Sequence, residues 1–392
     1  MQPNLRIVHF TCGLSPQMGG ILSGIEGTCL NMRNNLFKNA IFTFGITKKD
    51  SLVLNDRIKR LNDADVEVMS THSPLRNPYG IGNNYNWRSQ IRNDKTPSIF
   101  VLHQLYTLST ILGYLLAKRE KAPFIVFPHG DLHKYHERRS KFRKILARKL
   151  IIDRILKESN AIVATSSGEY QELPNSLMKK CRIIPYSQRV EEIPSTQHLF
   201  LSPGRQDKRF LFCSRFDKKK NLPLLLKGFK LALSFDSELK IDIAGSGSRR
   251  EESQINRLIK KLSIESNVTM HGWISPQKRA ELLTQSVAMI LPSECENFGL
   301  IVSEALSFGI PCIVSEFVGV SSFIDEYSAG IVLPELTPEA IASSIQKILN
   351  SNQTLSSTAA LNLVTKEFSV SRVEREWKKL FLNLENRSKE KL

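Results

Sequence analysis

Cysteine is scarce in this chain. The six present, Cys12, Cys29, Cys181, Cys213, Cys295 and Cys312, share no paired spacing. That excludes a disulfide frame or a metal knuckle and reads as reduced core thiols in a cytoplasm. Long apolar runs are missing too. Residues 1–6 lead into one short strand signal rather than an apolar region with a cleavage site, so no targeting segment is expected. The longest suspicious stretch, 98–117, has no formal charge but contains His103, Gln104, Tyr106, Thr107, Ser109 and Thr110. A membrane span needs about 20 predominantly apolar residues, so this stretch divides instead into a strand over 99–102 and a helix. Repeats and low-complexity tracts are absent from the sequence.

What is present suits a two-domain soluble protein. At 392 residues the chain exceeds one ordinary core. Its apolar share of 41% and charged share of 24% are those of globular proteins. The net charge of +17 is uneven. Residues 1–200 hold 29 Lys and Arg against 16 Asp and Glu, and the remainder 26 against 22. The excess is densest over 138–157, where Phe142, Ile145, Ile152 and Leu156 recur at helical spacing among nine basic residues. The apolar stripe is expected to be buried. For the basic face, attraction to anionic lipid or an anionic acceptor and mere solubility both remain open. No aromatic-interleaved basic strand supports a nucleic-acid partner.

Strand and helix signals alternate throughout, which predicts parallel sheets with crossover helices. Strands are expected over 6–10, 41–45, 66–69, 98–102, 124–127, 161–164 and 181–184. A second series follows over 210–213, 240–244, 267–271, 287–291, 311–314 and 330–333. Helices are expected over 222–233, 251–262, 276–285, 338–349 and 370–384. Residues 74–94, rich in Asn, Pro, Tyr and Trp, read as a loop, and 190–209 as the linker.

The most informative stretch runs from Pro292 to Leu306 and reads PSECENFGLIVSEAL. Glu296 and Glu304 flank a Phe-Gly pair and an apolar helix start, directly after a buried strand. In an open α/β sheet such a strand–loop–helix junction is where ligands bind. The first amides of the helix, near Leu300 and Ile301, suit phosphate oxygens. This text resembles the signature of retaining GT-B glycosyltransferases of family 4. The resemblance implies that Glu304 holds the ribose of a nucleotide-sugar and that Glu296 contacts the transferred sugar, with Phe298 and Gly299 shaping the donor site.

Three further elements carry the same resemblance. Ser214-Arg215-Phe216-Asp217-Lys218-Lys219-Lys220-Asn221 places two cations five residues apart after a strand, where they can straddle a diphosphate. It resembles the family's glycine-arginine-leucine motif with Ser214 in place of glycine, and implies Arg215 and Lys220 on the donor pyrophosphate. Gly19 and Gly20, after the first strand, allow close backbone approach to a phosphate or to the acceptor. Gly245, in Ala244-Gly245-Ser246-Gly247, matches a turn beside the nucleotide. His129, in Pro128-His129-Gly130-Asp131, resembles a histidine-glycine element that meets the donor sugar. His129, His133 and His136 fall at i, i+4 and i+7, a metal spacing, but Gly130 argues against one continuous helix.

The resulting expectation is an α/β protein of GT-B architecture, two Rossmann-like domains with parallel sheets facing across a cleft. Residues 1–190 would bind the acceptor and 191–365 the nucleotide-sugar, with 366–392 a helix crossing back to the first domain. The resemblance implies a retaining transfer from a UDP- or GDP-sugar, with His129 and Glu296 catalytic, no metal and no other cofactor. A glycan or lipid-linked acceptor and a cytoplasmic protein with peripheral contact to anionic membrane fit the charge. Pure nucleotide-sugar binding, or epimerisation of the donor, are the other readings.

Overall fold

The computed structural model describes residues 5–12, 20–32, 37–46, 58–72, 96, 98–133, 151–188, 208–351 and 353–389. Gly19, His136, the loop 74–94, the basic stretch 138–150 and nearly all of the linker lie outside them. The chain forms two compact units. Met1–Ser187 and Val370–Leu392 make the first, and Gln188–Ser369 the second.

The first unit is built on seven parallel strands: β1 (Leu5–Thr11), β2 (Phe37–Ile46), β3 (Glu67–His72), β4 (Ser98–His103), β5 (Phe124–Phe127), β6 (Ala161–Ala164) and β7 (Cys181–Ile183). Their order is β3-β2-β1-β4-β5-β6-β7. β1 pairs on one side with β2, Leu5 opposite Phe37, and on the other with β4, Arg6 opposite Ser98. Every β1 residue is buried, and its polar members are partnered, Arg6 by Glu67 and His9 by His103. The helix Leu108–Glu120 lies close on the sheet. A Cβ added at Gly113 would fall 2.5 Å from Leu102 and 2.8 Å from the Phe10 ring. The C-terminal helix Val370–Lys389 belongs to this unit. Its Phe381 meets Phe37 edge-on at 5.6 Å between centroids, and its Trp377 tilts over Phe127 at 5.8 Å.

The second unit repeats the plan with six parallel strands: β8 (Arg209–Cys213), β9 (Lys240–Ala244), β10 (Val268–Gly272), β11 (Ala288–Leu291), β12 (Cys312–Ser315) and β13 (Gly330–Leu333). Their order is β10-β9-β8-β11-β12-β13. Helix ends follow local chemistry. The helix expected from residue 251 starts at Arg249, because Ser248 caps it and Glu251 closes a reciprocal capping box. Pro276 and Pro338 open their helices in the first turn, where proline lacks only an amide that has no partner anyway. In both sheets the chain order reverses once, between β1 and β4 and between β8 and β11. These are the switch points at which open parallel sheets accept ligands.

None of the six cysteines is in a disulfide. Among the described residues no helix is long and apolar enough to cross a membrane.

Candidate functional site

At the second unit's switch point the loops after β8 and β11 bring together charges remote in sequence. The loop after β8 ends in a tight turn, Lys218–Lys220, capped by the Asp217 carboxylate, which accepts from the Lys219 amide at 3.1 Å. The Lys219 carbonyl accepts from the Glu294 amide at 2.7 Å, tying this turn to the loop after β11. Across that tie the Lys220 ammonium donates to the Glu296 carboxylate. Lys220 is only 6% exposed. Burial takes its ammonium down to about 7; repulsion from Lys219 and Arg215 adds to this, and Asp217 and Cys295 oppose it. The touching carboxylate pulls upward, so an ammonium this deeply placed keeps its charge only while an acid or phosphate oxygen faces it. Arg215 is exposed, yet near enough to Lys220 to act on it.

Glu296 is held from behind by its backbone. Its amide donates to Phe317 at 2.9 Å, its carbonyl accepts from Gly319 at 2.9 Å, and Val320 donates to the Phe298 carbonyl at 3.0 Å. Phe298 is buried and meets Phe368 edge-on. Gly299 then takes the left-handed conformation, φ 92°, which starts the helix Leu300–Ser307. Amides in the first turn of a helix have no partner within it, so those of Leu300 and Ile301 face the loop. Glu304, on the same helix, accepts from Arg279 Nε at 2.6 Å. Arg279 comes from Pro276–Gln285, the helix after β10. Both charges act on the half-buried Cys213 thiol at the end of β8, pushed up to about 11 by desolvation, with Arg279 lowering and Glu304 raising it. Glu304 and Arg279 therefore lie beside β8.

Gly245 closes the site's floor. A Cβ there would sit 1.9 Å from the Ser214 carbonyl oxygen, and φ is 130°. The Gly245 amide donates to Gly272 at 2.7 Å, so the ends of β8, β9 and β10 are laced together.

In the first unit Gly20 begins the helix Gly20–Asn31 and is exposed. His129 is 6% exposed and in the left-handed region, φ 55°. Its Nε2 meets His103 Nδ1 at 2.7 Å, and its Nδ1 meets the Tyr186 hydroxyl. His103 Nε2 in turn meets His9 Nδ1 at 2.9 Å. Burial pulls His9 and His129 down to about 3, and His103 well below its ordinary value. Beside them Glu169 is buried. Its Oε1 accepts from the Gly130 amide at 2.6 Å and its Oε2 from the Thr165 amide at 2.8 Å. Burial lifts this carboxyl to about 7 against the pull of those bonds.

Sequence reasoning missed Arg279, Glu169 and the His9–His103–Tyr186 set. One signal was available for the rings: His9 stands near the end of one expected strand, His103 and His129 just past the ends of two others, and those strands are neighbours in the sheet.

Two parallel-sheet Rossmann-like units of seven and six strands are the GT-B architecture. A solved structure with this fold, that of Anabaena Alr3699/HepE in complex with UDP and glucose, aligns over 97% of this chain and 99% of that one, at a TM-score of 0.72 and 13% identity. Residues 198–360, in the second unit, match the model of the glycosyl transferases group 1 family. A glycosyltransferase of Methanocaldococcus jannaschii is 28% identical over 151 residues, 38% of each chain. The lipopolysaccharide 1,6-galactosyltransferase of Salmonella typhimurium is 26% identical over 236 residues, 59% of each chain. The chain thus spans between about two fifths and three fifths of these curated relatives.

Proposed function

We propose that this protein transfers a sugar, with retention, from a nucleotide-diphosphate donor to a hydroxyl of a glycan or lipid-linked acceptor, in the assembly of a cell-surface polysaccharide or lipopolysaccharide. The observation that carries the reading is the pairing of both glutamates with cations at the second unit's switch point, Glu296 with Lys220 and Glu304 with Arg279. Such a site offers acids for hydroxyls and cations for a diphosphate within one set of loops. Arg215 and Lys220 take the phosphates and stabilise the departing diphosphate. The Leu300 and Ile301 amides add dipoles of the right sign. Glu304 holds the ribose and Glu296 the transferred sugar, while Phe298, Gly299 and Gly245 keep the backbone close to the nucleotide.

On arrival the diphosphate replaces Glu296 as the partner of Lys220, which frees that carboxylate for the sugar. The leaving diphosphate accepts the acceptor's proton on the same face, so the chain's work is placement and charge stabilisation rather than covalent catalysis. The two glutamates are not read as a retaining glycosidase dyad, which needs carboxyls about 5 Å apart across the bond. The bound UDP of the structural neighbour favours a UDP-sugar over a GDP-sugar. The +13 balance of the first 200 residues favours an anionic acceptor. No metal is assigned a part, since the cations of the site serve the diphosphate.

A thermal-shift screen against UDP, GDP and ADP tests the donor class, and UDP should raise the melting temperature most. Glu304→Ala should then weaken UDP by about 100-fold in calorimetry, the loss of a charge-assisted pair of hydrogen bonds. Equal affinity in wild type and variant would remove Glu304 from the ribose. Nucleotide binding without release of UDP upon adding acceptor would leave pure binding as the function, and conversion of the donor sugar without acceptor would make it an epimerase.

A further inference from the structure

Three imidazoles and a phenol form a continuous hydrogen-bonded file at the first unit's switch point. His9 stands near the end of β1, His103 ends β4 and His129 follows β5, so the rings come from three neighbouring strands. Tyr186 closes the file after β7. The ring planes are nearly parallel, with 18° between His9 and His103, 23° between His103 and His129, and 12° between His129 and Tyr186. All four are buried.

A neutral imidazole donates from one nitrogen and accepts at the other. Burial, joined by repulsion between neighbouring rings, keeps these rings neutral across the physiological range. Each ring's choice then dictates its neighbour's, and only two arrangements satisfy every bond. In one, Tyr186 donates to His129 Nδ1, His129 Nε2–H to His103 Nδ1, and His103 Nε2–H to His9 Nδ1, so all three histidines carry Nε2–H. In the other every bond reverses and all three carry Nδ1–H. A phenol is the stronger donor and an imidazole nitrogen the stronger acceptor, which selects the first.

Two devices hold the head of this file. The Tyr186 ring lies flush on the helix Gly20–Asn31, where a Cβ at Gly24 would fall 2.2 Å from it. The Glu169 carboxylate grips the Gly130 amide directly behind His129.

We propose that His9, His103 and Tyr186 are positioning residues for His129. The four rings act as one polarised relay that fixes which nitrogen of His129 bears the proton. The inference rests on the reading above in which His129 serves the transfer.

Histidine-labelled full-length protein, observed by two-bond proton–nitrogen correlation, tests it. Wild type should show three histidines in the Nε2–H form that do not titrate between about pH 5 and 8. Tyr186→Phe removes the donor and should mix the tautomers of His103 and His9, two and three rings away, while melting stays within a few degrees. UDP-glucose turnover should fall about ten-fold, the worth of one hydrogen bond, with KM for the donor unchanged. Gly24→Ala should produce the same changes without removing a ring. If Tyr186→Phe leaves the His103 and His9 signals untouched, the relay is wrong. Coupled tautomers with wild-type turnover would sever the relay from transfer. A wild type that fails to bind UDP in a parallel titration would instead overturn the transferase reading.

Discussion

In the first unit the edge between β1 and β4 is closed by neutral rings, whereas in the second the edge between β8 and β11 is lined with ion pairs. The topology is the same, and the difference lies in the residue types at the strand ends. His9, His103 and His129 are buried, and desolvation, joined at His103 and His129 by repulsion from the neighbouring rings, sets their protonation. Lys220, Glu296, Arg279 and Glu304 are charges that satisfy one another. A neutral relay can pass on hydrogen-bond direction but offers little to a dianion. A set of paired charges can exchange partners with a diphosphate, because each pair loses one ionic contact and gains another. On the function proposed above, the comparison gives hydroxyl chemistry to the first unit and phosphate chemistry to the second.

Acid should separate the two units most strongly. Unfolded histidines take protons below about pH 6.5, while His9 and His129 in the fold refuse them until about pH 3. Their contribution to stability is present above pH 6.5 and lost as pH falls, with a slope of about 1.4 kcal/mol per pH unit for each ring. Glu169 works the other way. Its folded value near 7 lies above the ordinary 4.5, so its contribution is present at low pH and lost as pH rises between those values. Three rings against one carboxyl leave a net loss on acidification. Urea unfolding at pH 7.5 and 5.5 should move the first unit's transition to lower denaturant far more than the second's. Glu169→Gln should steepen that dependence. A first-unit transition indifferent to pH would mean that these histidines are not held neutral.

Next in size is a pair of substitutions within the second unit. Glu296→Gln keeps the shape, should leave UDP affinity within about two-fold, and should lower turnover by about 100-fold, as loss of a group acting on the reacting sugar does. Lys220→Met should do the reverse to binding, weakening UDP by about 10- to 100-fold, since it removes a charge-assisted phosphate contact and leaves the half-buried Glu296 without its cation. Calorimetry with UDP and a turnover assay on the same preparations read both. If Glu296→Gln loses UDP affinity as Lys220→Met does, the two side chains act as one structural pair and not in separate roles.

The thirteen described strands of the two sheets were legible in the sequence, most of them as short apolar runs between turn residues, although β7 and β10 are largely solvated. β5, β6, β9 and β13 have the bounds expected of them. Less legible were Ser321–Tyr327 and Gln353–Leu363, helices whose polar and apolar residues follow no strong stripe. The residues Glu296, Glu304, Arg215 and Lys220 could be singled out because a strand–loop–helix junction marks them locally. Their pairing could not, since Lys220 and Glu296 are 76 positions apart and meet only because the Lys219 carbonyl holds the Glu294 amide. Arg279 has no local mark at all. It stands a turn into an ordinary helix, and only the packing of that helix beside β8 aims it at Glu304.

Arg215→Ala tests the exposed end of the same site. The side chain is solvated and makes no described structural bond, so melting should be unchanged while transfer falls about ten-fold, the worth of one guanidinium–phosphate contact. Unaltered transfer would take Arg215 out of the site and leave Lys220 as the diphosphate's cation.

The smallest expected effect belongs to Arg279. Its bond to Glu304 is partly solvated on both sides, with side-chain exposures of 29% and 26%, and such pairs contribute about 0.2–1 kcal/mol. On the proposed reading, holding Oε1 would fix the plane of the Glu304 carboxylate before ribose arrives. Arg279→Gln should therefore weaken UDP by about two- to five-fold, and the gap between variant and wild type should narrow as salt rises, because salt screens exposed charges. Turnover at saturating donor should not change. Tighter UDP binding by Arg279→Gln would reverse the assignment: Arg279 would then compete with the ribose for Glu304. The second unit's ion pairs would then both be contacts that the donor displaces, and neither would orient an acid in advance.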